Sequence, residues 1–288
     1  MIFTINGSTT DIPSQGKSIG AVLSELDERA EAMGNIIVEV RLNGTSIGPE
    51  ELATISDADA SGTGTVDLVE EPAADLKGRA LETLLELVRA SPAALETGDE
   101  ATISAARGAW DSYRGAFGGL FSAEEQSFVE AFAERLASGA PGADLTELAG
   151  RLESFFGERL AELRDPGNAM LAAARVFDAI KADLSEVPVR LQTGKDAQAM
   201  RTMVLVVELI HKTVRIIPEF MRMGSAPVVD IEGATMPEFY GAFNNVLLEL
   251  ASAFENKDGV LIGDLAEYEI RPRLESFFTA IRQAMATV

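Results

Sequence analysis

Thr193-Gly194-Lys195-Asp196 places a glycine and a lysine beside an acidic residue at an apparent helix start. Phosphate-binding loops use such a pairing, but the full loop needs an earlier glycine and a hydroxyl after the lysine. Main-chain amides then surround the phosphates and the hydroxyl meets magnesium. Here Val189 stands at the first glycine position and Asp196 at the hydroxyl position, where a carboxylate repels phosphate. An earlier stretch has the same frame: Pro92, Leu95, Thr97 and Gly98 match Pro188, Leu191, Thr193 and Gly194, with Asp99 where the lysine would stand. The shared pattern is read as a duplicated helix-to-helix turn. Proline stops the first helix, leucine plugs the pair, Thr-Gly reverses the chain, and Asp99 or Asp196 caps the next helix. The stretch 254–259 is a looser third version, with Phe254, Asn256 and Asp258 in the corresponding places.

Other chemistry-bearing residues lead to the same negative reading. Asp57, Asp59, Ser61 and Gly62 open like a calcium loop, but the position of the required bidentate glutamate is Leu68. A polar β-turn is expected instead. His211 is the only histidine and lies in a polar stripe with Glu208, Lys212, Arg215 and Glu219 at helical spacing. That spacing puts it at the surface with Glu208 and Arg215 in reach, and no serine or carboxylate can be assigned to orient it as a base. Asp264 and Glu267 lack the Glu-x-x-His partners of a di-iron bundle, which one histidine cannot supply. Trp110, Tyr113 and Phe117 follow helical spacing and read as core, as do Met221 and Met223 beside a loop. No residue is assigned a catalytic, cofactor-binding or metal-binding role, and no cofactor is expected.

Composition narrows the partners. The 288 residues carry a formal net charge of −22 and no cysteine. An acidic surface repels phosphate backbones and anionic lipid headgroups, so neither nucleic acid nor membrane insertion is expected. Absent cysteine excludes disulfides and thiolate sites and fits a reducing cytoplasm. The start of the chain shows no basic-then-apolar leader. The most apolar stretch, 203–210, is too short for a bilayer and contains Glu208.

The elements that would position these residues fall into two regions. Residues 1–71 read as β-β-α-β-β. The first run, 1–7, ends in Asn6-Gly7, a hairpin signal, and a strand over 9–13 follows. Ile19, Val22, Leu23 and Leu26 mark a helix. A strand over 36–44 ends in Asn43-Gly44, and 65–71 form the last strand. The stretches 4–7, 18–26, 38–44 and 65–71 resemble the ubiquitin-like β-grasp fold, and most of all the small sulfur carriers of thiamine and molybdopterin synthesis. The resemblance implies a recognition module. Those carriers act through a free terminal Gly-Gly, whereas this strand runs into Glu70-Glu71-Pro72.

From residue 72 to 288 the pattern is helical, with segments at about 73–90, 99–118, from 122, 144–164, 165–186, 196–223, 237–254 and from 258. Ser122-x-x-Glu125 and Asp144-x-x-Glu147 read as capping boxes, and Asp165-Pro166 as an N-cap and first-turn proline. The stretch 224–236 reads as a loop, and Pro272 should break or kink the last helix. RLESFF recurs, placing Leu152, Phe155 and Phe156, and again Leu274, Phe277 and Phe278, on core faces.

The expected architecture is α+β, predominantly α. A β-grasp module (1–71) precedes a helical domain (72–288) of hairpins that form one bundle or two related ones, 72–164 and 165–288. The expected function is that of a non-catalytic protein–protein interaction adaptor or scaffold in the bacterial cytoplasm, not an enzyme. An acidic helical chaperone for a secretion or motility component, and a sulfur-transfer-related or other enzyme with an unrecognised site, are the alternatives. One or more protein partners are expected, and a homodimer is left open.

Overall fold

The computed structural model describes residues 1–113, 121, 123–139, 143–223, 231 and 233–286. The chain is α+β and mainly α: a small mixed sheet at the N-terminus is followed by many helices. Contacts divide it into two units, Met1–Leu160 and Ala161–Val288.

The sheet begins with β1 (Ile2–Ile5) and β2 (Ser8–Thr9), joined by Asn6-Gly7. Both turn residues have positive φ, 50° and 76°. That is the two-residue turn whose twist matches antiparallel strands, and asparagine and glycine tolerate it best. Asn43-Gly44, at φ 51° and 84°, joins β3 (Asn35–Leu42) to β4 (Thr45–Ser46) in the same way. Between the hairpins runs α1 (Ile19–Ala32). The Ser18 hydroxyl oxygen caps it by accepting from the Ala21 N–H, and Ile19, Val22, Leu26 and Ala30 are buried. After β4 come a short α2 (Pro49–Ile55) and the last strand, β5 (Thr65–Pro72).

The strand order is β2-β1-β5-β3-β4, with β1 parallel to β5 and the other pairs antiparallel. Phe3, Ile19, Val22, Leu26, Ala60, Val66 and Leu68 form the core between sheet and helix. The expected element order lacked β4 and α2, and the expected strand over 9–13 shrinks to Ser8–Thr9. A two-residue strand has no room to show alternation, and one seven-residue helix has too few turns to show a face.

β5 leads directly into α3 (Ala73–Thr97), followed by α4 (Glu100–Tyr113), α5 (Ala123–Ser138) and α6 (Ala143–Arg164). Pro92 does not end the first helix as expected but lies inside α3. The helix continues through it to Gly98, and the buried Ser91 before it donates its hydroxyl to the Leu87 carbonyl. Asp144 does not form the expected cap: it sits within the first turn of α6 and pairs with Arg135 at 2.7 Å, while Glu147 pairs with Arg151. Ser122 lies outside the described residues, as do 114–118 of the expected second helix.

The second unit holds α7 (Pro166–Ser185), α8 (Val187–Gln192), α9 (Asp196–Met221), α10 (Met236–Glu255), α11 (Gly259–Asp264) and α12 (Arg271–Ala286). Asp165 caps α7 as expected, accepting from the Asn168 N–H at 2.9 Å. That bond holds its carboxyl below the usual range. Most of the expected loop 224–236 lies outside the described residues, and its end forms a capping box between Thr235 and Glu238. Pro272 does not break the last helix. A π-helical turn, Leu265–Ile270, precedes it, and Arg271 donates to Ala266 across the wider loop. Such an inserted residue is a usual way for a helix to absorb a misfit. The core is aliphatic and aromatic. Phe277 contacts Phe239 at 5.8 Å and Phe278 at 5.0 Å between ring centres.

The repeated turn is real geometry. Gly98 and Gly194 have φ of 64° and 75°, and each donates its N–H to the leucine three residues before, Leu95 or Leu191. Thr97 and Thr193 donate their hydroxyls back to helical carbonyls. At the second copy Lys195 N–H also reaches Arg190 O at 2.8 Å, which completes the six-to-one closure of a helix C-terminus. The third copy repeats it: Lys257 N–H bonds Phe254 O and Asp258 N–H bonds Ala253 O. Asp99 and Asp258 cap their following helices, but Asp196 lies inside α9, and Lys195 holds its cap position without a side-chain bond.

Lys257 carries φ 54° where the other copies have glycine, a conformation that costs an L-residue about 1 kcal/mol. Lys257→Gly is therefore expected to raise, and Gly194→Ala to lower, the unfolding free energy of the full chain by about 1 kcal/mol each. Urea denaturation measures both. Equal midpoints for Lys257→Gly and the parent would contradict the strain assignment.

Candidate functional site

The residues singled out by type do not assemble a reaction centre. At Thr193-Gly194-Lys195 the amides of Gly194 and Lys195 are already bonded to Leu191 and Arg190 carbonyls, so they cannot cradle a phosphate. Asp59 closes a turn on itself, accepting from Ser61 N–H at 2.7 Å and from the Ser61 hydroxyl. Those bonds hold its carboxyl low, the hydroxyl contributing most. Among the described residues no group of three or more His, Asp or Glu could hold a metal. Asp264 is exposed, Glu267 half-buried, and the adjacent Glu269 pairs with Arg273.

The polar stripe on α9 splits in two. His211 and Glu208 are exposed. Arg215 does not stay with them. Its Nε and Nη2 donate to the two oxygens of Glu162 at 2.8 and 3.0 Å, and Lys212 Nζ lies 3.5 Å from Oε1. Glu162 is only 4% exposed. Glu219 pairs with Arg222 at 2.7 Å. In the first unit Arg159, 3% exposed, pairs with Glu125 and with Glu158. The Glu162–Arg215, Glu162–Lys212 and Arg159–Glu125 pairs join residues far apart in sequence, so helical spacing could not reveal them.

Trp110 is buried against Phe132 at 4.8 Å, as a core reading requires. The side chains of Tyr113 and Phe117 lie outside the described residues. Leu152, Phe156, Leu274, Phe277 and Phe278 are buried and Phe155 is half-buried against Phe128, so both RLESFF copies face cores. Met223 packs on the second unit's core, and Met221 is partly exposed.

What remains is surface, and its most specific feature is in the sheet. On the face away from α1, Thr4 donates to Asp67 and Arg41 donates to Glu39. Gly7 N–H also bonds Asp67, whose carboxyl is held low chiefly by the Thr4 hydroxyl. That face is a closed polar set. The β3 edge differs. β4 pairs only with Arg41 and Leu42, and Ile47 N–H reaches Val40 O. Among the described residues no strand pairs with 35–39 on the side away from β5. The ladder to β5 shifts register between Ile37 and Glu39, so Val38 is the extra residue of a bulge. Ile36 and Val38 are 42% and 41% exposed. One strand inward, Glu70 pairs with Ile37 and is buried; its Oε2 accepts from Asn35, and its Oε1 has no donor among the described residues. Elsewhere, exposed apolar side chains include Val204 and Leu205 on α9, Leu248 on α10 and Val260 on α11. Among the described residues no helix is long and apolar enough to cross a membrane.

Residues 168–280 match the model of a family described as a domain of unknown function (DUF8042). The match runs from the first turn of α7 into α12, and residues 1–167 lie outside it. No curated protein and no solved structure matches the chain.

Removing one member of a buried pair strands the other charge, at about 3 kcal/mol or more, whereas replacing both by apolar groups costs far less. Glu162→Gln is therefore expected to lower the unfolding free energy by about 3 kcal/mol. Glu162→Leu with Arg215→Met should recover most of that loss. Chemical denaturation of the set provides the check, and additive losses would show that the pair is not coupled.

Proposed function

We propose that the chain is a non-catalytic interaction adaptor of the bacterial cytoplasm, with an N-terminal β-grasp module as its recognition element. The strand order β2-β1-β5-β3-β4, parallel only between β1 and β5, supports the β-grasp reading. β5 passes into α3 without a free tail, which favours recognition over sulfur carriage.

The observation that carries the adaptor reading is the partly open β3 strand with two exposed β-branched residues. Sheet edges offer main-chain groups to a partner, and side-chain contacts make the choice specific. Of the devices by which natural sheets blunt an edge, lysine and proline do not occur over 35–39, and the bulge at Val38 does. The chemical candidates are spent on structure: Asp59 and Lys195 on turns, Arg215 on Glu162. The absence of cysteine fits a reducing compartment.

The test is recovery of the tagged full chain from its native cells after mild cross-linking, with mass spectrometry of what accompanies it. One dominant protein in stoichiometric amount is expected. Recovery of the chain with nothing above background would contradict the adaptor reading.

A further inference from the structure

We propose that the open edge of β3, Asn35–Glu39, receives an extended, positively charged segment of a partner protein, which adds to the sheet as one more strand. The inference rests on the adaptor reading and narrows it to one surface and one partner chemistry.

Three observations converge on that edge. The first is main-chain availability. β4 is two residues long and stops at Arg41 and Leu42, so the strand is uncovered from Asn35 to Glu39 among the described residues. An uncovered strand presents N–H and C=O groups that a parallel or antiparallel segment can satisfy. The second is side-chain character. Ile36 and Val38 stand exposed on the uncovered stretch, and Met33, 57% exposed, lies just before it. β-branched apolar residues are the type that packs against a neighbouring strand.

The third is charge. Residues 1–72 hold 13 Asp and Glu against three Lys and Arg. Asp27, Glu28 and Glu31 on α1 and Glu50 and Glu51 on α2 are all exposed. A second copy approaching edge to edge would bring two such surfaces together, and like charges oppose that. The bulge at Val38 further disfavours long, flat self-pairing. A segment alternating apolar residues with Lys or Arg meets both features: its apolar side chains cover Ile36 and Val38, and its charges complement the acidic composition of residues 1–72. The bulge limits the pairing to a short stretch.

The probe is a synthetic seven-residue peptide alternating lysine and valine, labelled and titrated into the full chain at about 0.15 M salt. Controls are the same peptide with its central valine replaced by proline, and a peptide alternating glutamate and valine. Binding is read by fluorescence anisotropy and its location by hydrogen–deuterium exchange. The lysine–valine peptide is expected to bind and to slow exchange over 35–39. Affinity should fall at least tenfold with the proline peptide and with Ile36→Lys/Val38→Lys. It should hold with Leu248→Lys/Val260→Lys, which makes the same charge change elsewhere. Ile36→Thr/Val38→Thr keeps strand propensity and serves if the lysine variant does not fold; it should also lose affinity.

Three results would overturn the assignment: no binding, binding indifferent to the edge variants, or equal binding of the glutamate peptide. Cross-linked recovery separates this proposal from its premise. A partner retained in full by Ile36→Lys/Val38→Lys leaves the adaptor reading standing and removes the edge from it. Recovery of no partner by the parent chain removes the adaptor reading itself.

Discussion

The first unit depends on how β5 is held. Asn6 donates its main-chain N–H to Leu68 O, accepts Glu70 N–H on Oδ1, and donates Nδ2 to Glu70 O. Asn43 does the matching work at the other end, accepting Thr65 N–H on its side chain and donating its own N–H to Thr65 O. Each hairpin asparagine thus serves as a turn residue and as a substitute strand partner. Every such bond contributes about 1 kcal/mol net, enough to offset the cost of a non-glycine residue at positive φ. With β5 fixed at Thr65 and Glu70, β1 can lie parallel to it and β3 antiparallel. The chain then leaves into α3 without a linker. β4 starts at the Asn43-Gly44 turn and is two residues long, so among the described residues the rest of the β3 edge stays open.

The helical region relies on a different recurring device. Three helix ends close with a positive-φ residue whose N–H returns to a carbonyl three residues earlier, and at two of them an aspartate, Asp99 or Asp258, caps the next helix. The proline of the motif is not needed for closure. Pro92 lies within a helix, and Pro188 opens a short one. Pro188 instead serves packing in the second unit. Its main chain lies so close to Gly263 that an added Cβ would sit 2.9 Å from Pro188 Cα. The buried ion sets, Glu162 with Arg215 and Lys212, and Arg159 with Glu125, tie together residues from different helices.

Features that are local in sequence could be read from it. Asn-Gly pairs give hairpins because few residues accept two successive positive φ values. The apolar spacing of α1 gives its buried face, and Asp165-Pro166 gives a cap. Features that depend on distant residues or short elements could not. β4, α2 and α8 are too short for periodicity. Pro92 reads as a stop, yet α3 runs through it to Thr97 because packing outweighs one missing main-chain bond. The π turn before Pro272 is invisible to a pattern of 3.6 residues. Arg215 was legible as polar but not as Glu162's partner, because Glu162 comes from another helix. The open edge was the least legible, since it is defined by where a neighbour stops. Its only local signal was the apolar run Ile36-Ile37-Val38 ending at Glu39.

The central claim is that β3 is clamped to β5 on one side and, over 35–39, has no strand partner on the other among the described residues. Hydrogen–deuterium exchange of the free full chain tests it most directly, resolved to single amides. The account predicts slow exchange for Val66 to Glu70 and much faster exchange for the amides of 35–39 that point away from β5. Uniformly slow exchange across 35–39 in the free protein would mean that the edge is already covered, and would contradict the account.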